Sequence, residues 1–198
     1  VDYVRPTLLS SGNVLLTELE RRSGGILIDV GGKSTDMIIY RDGIPVFTEW
    51  FPVGGSSVTK DISVGLDISF DEAEELKRQC VLGADLSNTP LDYAQEIAEM
   101  RIEELFQLIE ESIDNSNTVH RENCSVVIIG GGLAPIRGAR EFASSLLGCD
   151  VRIDNTTAAS TYALINEHAS TLSSYNVEED KLSIKDRIKQ WLLAFFNK

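Results

Sequence analysis

The chain has 198 residues, 42% of them apolar, enough for one large α/β domain or two small ones and too apolar for a disordered polymer. A formal charge of −13 excludes non-specific nucleic-acid binding, because an acidic surface repels a phosphate backbone, so any anionic ligand must be held locally. Cys80, Cys124 and Cys149 form no CxxC pair, which excludes a cysteine zinc site or a disulfide framework and favours a reducing, cytoplasmic compartment. No apolar run is long enough to span a bilayer, and the N-terminus lacks the basic-then-apolar pattern of a signal peptide. The chain opens on Val1 rather than Met and is expected to be a fragment or a processed chain.

In chain order, the leucine-rich stretch 7–22 reads as one helix stopped by Gly24. Strands are expected at Gly25–Val30, Asp36–Arg41 and Pro45–Phe51, with Asp42-Gly43 closing a hairpin because both residues tolerate positive φ. After Gly54-Gly55, Val58, Ile62 and Leu66 recur every four residues as a helix, and Ser69 with Glu72 forms a capping box for another through about Gln79. A breaker segment, 81–90, leads into a long helix through Ile113, with Ile97, Ile102, Leu105, Leu108 and Ile109 on or near one face, and polar residues 114–123 close it. Ser125–Ile129 is a continuous apolar run, as in a buried parallel strand. Gly130–Gly132 follows it, then a helix from about Pro135 to Leu147, a short strand Asp150–Ile153 and a helix around Thr157–Glu167. Residues 168–182 are polar and serine-rich, a tether.

The turn Asp29-Val-Gly-Gly-Lys-Ser-Thr-Asp36 carries the chemistry. Gly31 and Gly32 let backbone N–H groups approach an anion, Ser34 and Thr35 add hydroxyl donors, and Asp29 at a strand end can hold Mg²⁺ directly or through water. A plain β-hairpin with polar capping residues is the alternative. The second glycine element, Gly130, Gly131 and Gly132, sits between a buried strand and a helix, where α/β folds bind ligands. It is not a dinucleotide fingerprint, because Pro135 stands where GxGxxG requires its last glycine. Two glycine turns suit the two ends of one nucleotide.

On these residues the chain is similar to the actin-like ATPases. Asp29–Asp36 resembles their second phosphate motif, DxGGGTTD, and Val127–Gly132 resembles their adenosine motif. Asp42-Gly-Ile-Pro-Val-Phe47, Pro52-Val-Gly-Gly55, Thr59-Lys-Asp-Ile62 and Gly65–Lys77 resemble the bacterial FtsA cell-division family, and the PilM pilus-assembly proteins share much of that stretch. The resemblance implies an α/β, ribonuclease H-like second domain of the actin-like ATPase fold. Subdomain IIA would comprise 1–53 and 124–167, and a helical IIB subdomain 54–123. It further implies ATP and Mg²⁺ as ligands, Glu74 and Lys77 beside the ribose and adenine, FtsZ filaments and further copies of the chain as partners, and a first phosphate motif carried by an N-terminal half outside this sequence. For Glu74 the alternative is a solvated helix face shared with Asp71, Glu72 and Glu75. Two departures stand out: Lys33 replaces the third glycine, where its ammonium could meet a phosphate or its β-carbon could distort the turn, and 81–90 is shorter than in FtsA and PilM-like in length. No residue is an obvious general base, since His120 sits in a polar loop and His168 opens the tether, neither of them near either turn in sequence; the expectation is that this chain alone binds nucleotide weakly and hydrolyses it negligibly.

The last segment, 183–198, is expected to be an amphipathic membrane-targeting helix. At 100° per residue, Ile184, Ile188, Trp191, Leu192, Phe195 and Phe196 fall within an arc of about 140°. Lys185 and Lys189 lie toward one rim and Arg187 and Lys198 toward the other, so the cations can reach anionic headgroups while the apolar face dips below them. A C-terminal helix packed on protein is the alternative. FtsA proteins end in a linker and such a helix, which implies peripheral attachment to the inner face of the cell membrane.

Overall fold

A computed structural model describes residues 7–85, 89–120, 123–133 and 136–154, together with Ile165. Apart from Ile165, the described residues belong to one compact unit. The tether, the membrane-targeting segment and all of the helix expected at Thr157–Glu167 except Ile165 lie outside the described residues.

The N-terminal stretch forms two helices, α1 (Thr7–Leu15) and α2 (Glu18–Ser23), where the leucine pattern predicts one. Thr17 breaks it. Its hydroxyl accepts the Glu20 amide while the Glu20 carboxylate receives the Thr17 N–H, a capping box that starts a new helix, which Gly24 ends at φ 118°. Strands β1 (Gly25–Val30), β2 (Thr35–Arg41) and β3 (Ile44–Phe51) form an antiparallel meander. Asp42 and Gly43 turn the second hairpin with φ of 55° and 84°, as a two-residue loop of this kind requires.

Three helices follow: α3 (Gly55–Leu66), α4 (Phe70–Gln79) and α5 (Pro90–Ser116). Ser69 and Glu72 cap α4 reciprocally, as expected from the sequence. Thr89 and Asp92 cap α5 in the same way with Pro90 in its first turn, and Asn117 ends it in the left-handed region. Strand β4 (Ser125–Ile129) pairs parallel with β1. Helix α6 (Ala139–Leu147) begins four residues later than Pro135, with Gly138 as its N-cap, and β5 (Val151–Ile153) pairs parallel with β4. The sheet order is β3-β2-β1-β4-β5.

Alternation along the central strands divides the core in two. Ile26, Ile28, Val30, Met37, Ile39, Val126 and Ile128 point to the face covered by the long helices, where Ile102, Leu105, Phe106, Ile109 and Ile113 of α5 meet them. Leu27, Ile38, Tyr40, Val127 and Ile129 point to the other face, under Leu16 and the α1 leucines. Tyr40 is fully buried, with its hydroxyl donating to the Leu9 carbonyl at 3.1 Å. Because β1 and β4 are central, parallel and covered on both faces, their carboxyl ends are held rigidly. Both glycine turns leave from those ends.

Candidate functional site

The first turn leaves β1 at Val30 and returns at Thr35, with its mouth closed by Gly31 N–H donating to the Ser34 carbonyl at 2.9 Å. Gly32 and Lys33 are exposed and Ser34 is half-buried. Lys33 does not have a positive φ, so its β-carbon causes no strain and the departure from the triple-glycine motif is accommodated. Thr35 differs from expectation: it is fully buried and its Oγ1 donates to the Val53 carbonyl at 2.8 Å, tying the hairpin to the start of α3 instead of facing a ligand.

Asp29 pairs directly with Asp36 across the two strands, which puts both carboxylates on one face of the sheet. Burial raises the Asp36 carboxyl above its ordinary value, as expected where a carboxylate is denied water without a neighbouring cation. The sequence pattern points to Asp29 alone as a metal ligand. The signal for Asp36 was present, because the two aspartates are equidistant from the Gly32–Lys33 bond about which the hairpin folds.

The two glycine turns meet at a third, Gly54-Gly55, which opens α3 and which the sequence marks as a helix start and part of a family motif, not as a site element. Gly55 N–H donates to the Gly31 carbonyl at 3.0 Å and Ser56 N–H to the Gly32 carbonyl at 2.7 Å, so the first turn rests on the first N–H groups of α3. A β-carbon on Gly54 would lie 2.6 Å from the Gly31 oxygen and 2.8 Å from both the Gly32 oxygen and the Ser34 nitrogen, all backbone atoms that cannot yield. The other turn closes against the same point. Gly132 N–H donates to the Val30 carbonyl at 2.8 Å, and a β-carbon on Gly55 would come within 2.7 Å of Gly132 Cα. Gly132 is buried and serves this packing, while Gly131 is exposed with nothing near its β-position. Gly130, at φ 94°, lies under the Asp29 carboxylate.

Glu74 and Lys77 of α4 reach the same junction from the other side. Lys77 is buried, and its ammonium donates to the Gly55 carbonyl (3.2 Å), Thr59 Oγ1 (2.9 Å) and Glu74 Oε2 (2.6 Å). All three of its donors are therefore accepted by protein oxygens, and Lys77 joins α4 to α3. Glu74 is half-buried, with Oε1 receiving Arg78 Nε at 3.2 Å. Burial opposes its ionisation, but hydrogen bonds from Lys77 and Thr59, the Lys77 charge and Arg78 outweigh that and lower its pKa. Asp71, Glu72 and Glu75 are exposed, so the solvated-face reading holds for them and not for Glu74.

The result is an open wall of glycine backbone rather than an enclosed pocket. A cavity of about 550 Å³, lined by residues that include Asp114, His120 and Leu147, lies at the opposite end of β4 and contains none of the expected site residues. No cluster of three or more potential metal-ligating side chains exists among the described residues, and no helix among them is long and apolar enough to cross a membrane.

Comparison with known proteins gives this architecture its class. The structure of MreB5 of Spiroplasma citri bound to AMPPNP matches with a TM-score of 0.72 at 16% identity, over 88% of this chain and 60% of that one. The PilM–PilN type IV pilus biogenesis complex matches at 0.64 and 19% identity, over 80% and 44%. The fold is that of the actin-like ATPases.

The FtsA family model, described as cell division protein FtsA, matches residues 26–173, and the chain belongs to that family. It is 30% identical over 163 residues to cell division protein FtsA of Bacillus subtilis, covering 73% of this chain and 37% of that protein. It is 27% identical to that of Pseudomonas aeruginosa, covering 99% and 57%. The chain thus spans less than two thirds of the length of either relative.

Proposed function

We propose that the protein is an ATP-binding cell-division protein of the FtsA type that links FtsZ filaments to the inner face of the cytoplasmic membrane, with nucleotide acting as a conformational or polymerisation switch. The observation that carries the nucleotide half of this reading is the convergence of Gly31-Gly32 and Gly130–Gly132 on Gly54-Gly55 at the carboxyl ends of β1 and β4. The exposed Gly32-Lys33-Ser34 backbone would face the phosphates, Lys33 adding positive charge, and Glu74 would face the ribose. Lys77 would act behind Glu74, and Gly130 and Gly131 would line the nucleoside side.

Asp29 and Asp36 fit Mg²⁺ in part. Two carboxylates side by side, one of them destabilised as an anion by burial, are a hard-oxygen donor pair, and Mg²⁺ ordinarily completes its shell with water and phosphate oxygens. A bound Mg²⁺ would screen the phosphate charge; Asp29 and Asp36 would hold it and orient that face of the ligand.

The division into a IIA part, 1–53 with 124–167, and a helical IIB part, 54–123, belongs to the same reading, as do the 168–182 tether and membrane attachment through 183–198. Burying Ile184, Ile188, Trp191, Leu192, Phe195 and Phe196 would give roughly 5–10 kcal/mol before the cost of ordering a short helix. Reversible attachment is the expected outcome.

Flotation with anionic vesicles, with and without 183–198, tests the membrane half. Binding that requires those residues supports it. Failure of the intact chain to float removes the anchor and favours a PilM-like scaffold, the alternative supported by the short segment between α4 and α5. Pull-down with the FtsZ C-terminal peptide tests the partner.

A further inference from the structure

Thr59, in the second turn of α3, is fully buried and stands at the centre of a closed polar network. Its Oγ1 lies 3.0 Å from the Gly55 carbonyl, 2.6 Å from Glu74 Oε2 and 2.9 Å from Lys77 Nζ. A hydroxyl has one proton to give. Lys77 donates to it, and the short contact with a carboxylate takes the Thr59 proton in preference to the longer one with a neutral carbonyl. The Gly55 carbonyl keeps the Lys77 ammonium as its donor. A helical threonine that merely filled space would bond only within its own helix; this one crosses to α4.

The consequence falls on Glu74. Its Oε2 receives both Thr59 and Lys77 and is turned into the protein, while Oε1 is held only by Arg78, whose side chain is 67% exposed. Without the Thr59 hydroxyl, Glu74 would lose one of its two inward anchors and Lys77 one of its three acceptors. We infer that Thr59 is a positioning residue that fixes the Glu74 carboxylate so that Oε1 is offered to the vicinal hydroxyls of a ribonucleoside triphosphate. This rests on the nucleotide-binding reading and makes Thr59 the residue behind ribose recognition. The Gly55 peptide, which accepts from Lys77 and donates to Gly31, joins that recognition to the phosphate turn.

The test is calorimetric titration of ATP–Mg and of 2′,3′-dideoxy-ATP–Mg into the wild-type protein, Thr59→Val, Thr59→Ser and Glu74→Gln. The wild type is expected to prefer ATP about tenfold or more, as a hydrogen bond to a charged group predicts. Thr59→Val should lose about that factor for ATP and stay within about twofold for the dideoxy nucleotide, while Thr59→Ser keeps the wild-type preference. An equal loss for both nucleotides, or an unchanged preference, overturns the inference. If Thr59→Val does not fold, Glu74→Gln decides, since a wild-type ribose preference in that variant overturns it as well. Absence of binding of either nucleotide to the wild type removes the nucleotide reading itself, and the inference with it.

Discussion

The two glycine turns have similar sequences and different physical needs. At Gly31-Gly32 neither residue has a positive φ; a β-carbon on Gly31 would lie 3.0 Å from the Ser34 carbonyl oxygen, whereas one on the exposed Gly32 would have only Ser56 Oγ nearby, at 3.7 Å. Glycine there leaves the backbone uncovered. At Gly130–Gly132 the first residue sits at φ 94°, and the first and last are pressed against Val30 and Gly31. Glycine there allows β4 to end against the first turn. One turn is open to solvent at Gly32, where the proposed nucleotide would meet it, and the other holds that turn in place, with Gly54-Gly55 as the joint between them.

Substitutions should separate the two roles. The largest effect is expected at Gly130→Ala, which combines the left-handed penalty of about 1–2 kcal/mol with a collision against the Val30 carbonyl that is tighter than any at Gly54. Gly54→Ala, at the joint, pushes a β-carbon into three backbone atoms and should come next, at about 3 kcal/mol in urea denaturation. Equal tolerance of alanine at Gly54 and Gly32 would erase the distinction.

A smaller effect depends on pH. The Glu74 carboxyl is held below the ordinary glutamate value of 4.5, so its contribution to stability is present above that pH and is lost as pH falls through the lower folded value. Glu74→Gln should therefore lower stability at pH 7 and flatten that part of the acid limb, read by thermal melts across pH 2–7, about the range in which glutamates titrate. The smallest effect belongs to the open turns. Gly32→Ala, whose β-carbon would make one ordinary contact with Ser56 Oγ, and Gly131→Ala, whose β-carbon would meet nothing within 4 Å, should change stability by less than about 1 kcal/mol.

Much of this was legible in the sequence. Strands β1 and β4 match their expected bounds, because a continuous apolar run covered on both faces has only one way to be buried. The α4 capping box and the Asp42-Gly43 hairpin were equally readable, each being a local device with a fixed spacing. The same device at Thr17 and Glu20 was obscured by leucines that continue on either side of it, which is why two helices read as one. Within the site, the turns were visible and their joint was not. Gly54-Gly55 carries no chemistry of its own, and its importance lies in contacts with residues more than twenty positions before it and more than seventy after it. Thr35 shows the converse: a hydroxyl beside a glycine turn reads as a donor to the ligand, yet its strand position turns it into the core.

The most direct test of the central claim is the affinity of ATP–Mg for Gly32→Val beside the wild type. A β-carbon at Gly32 meets only Ser56 Oγ, at 3.7 Å, so the melting curve of the valine variant is expected to overlay the wild-type curve, while its side chain covers the backbone proposed to meet the phosphates. A fall in affinity of about tenfold or more, equivalent to about 1.4 kcal/mol, is the predicted result. An unchanged affinity in a folded Gly32→Val protein would contradict the account.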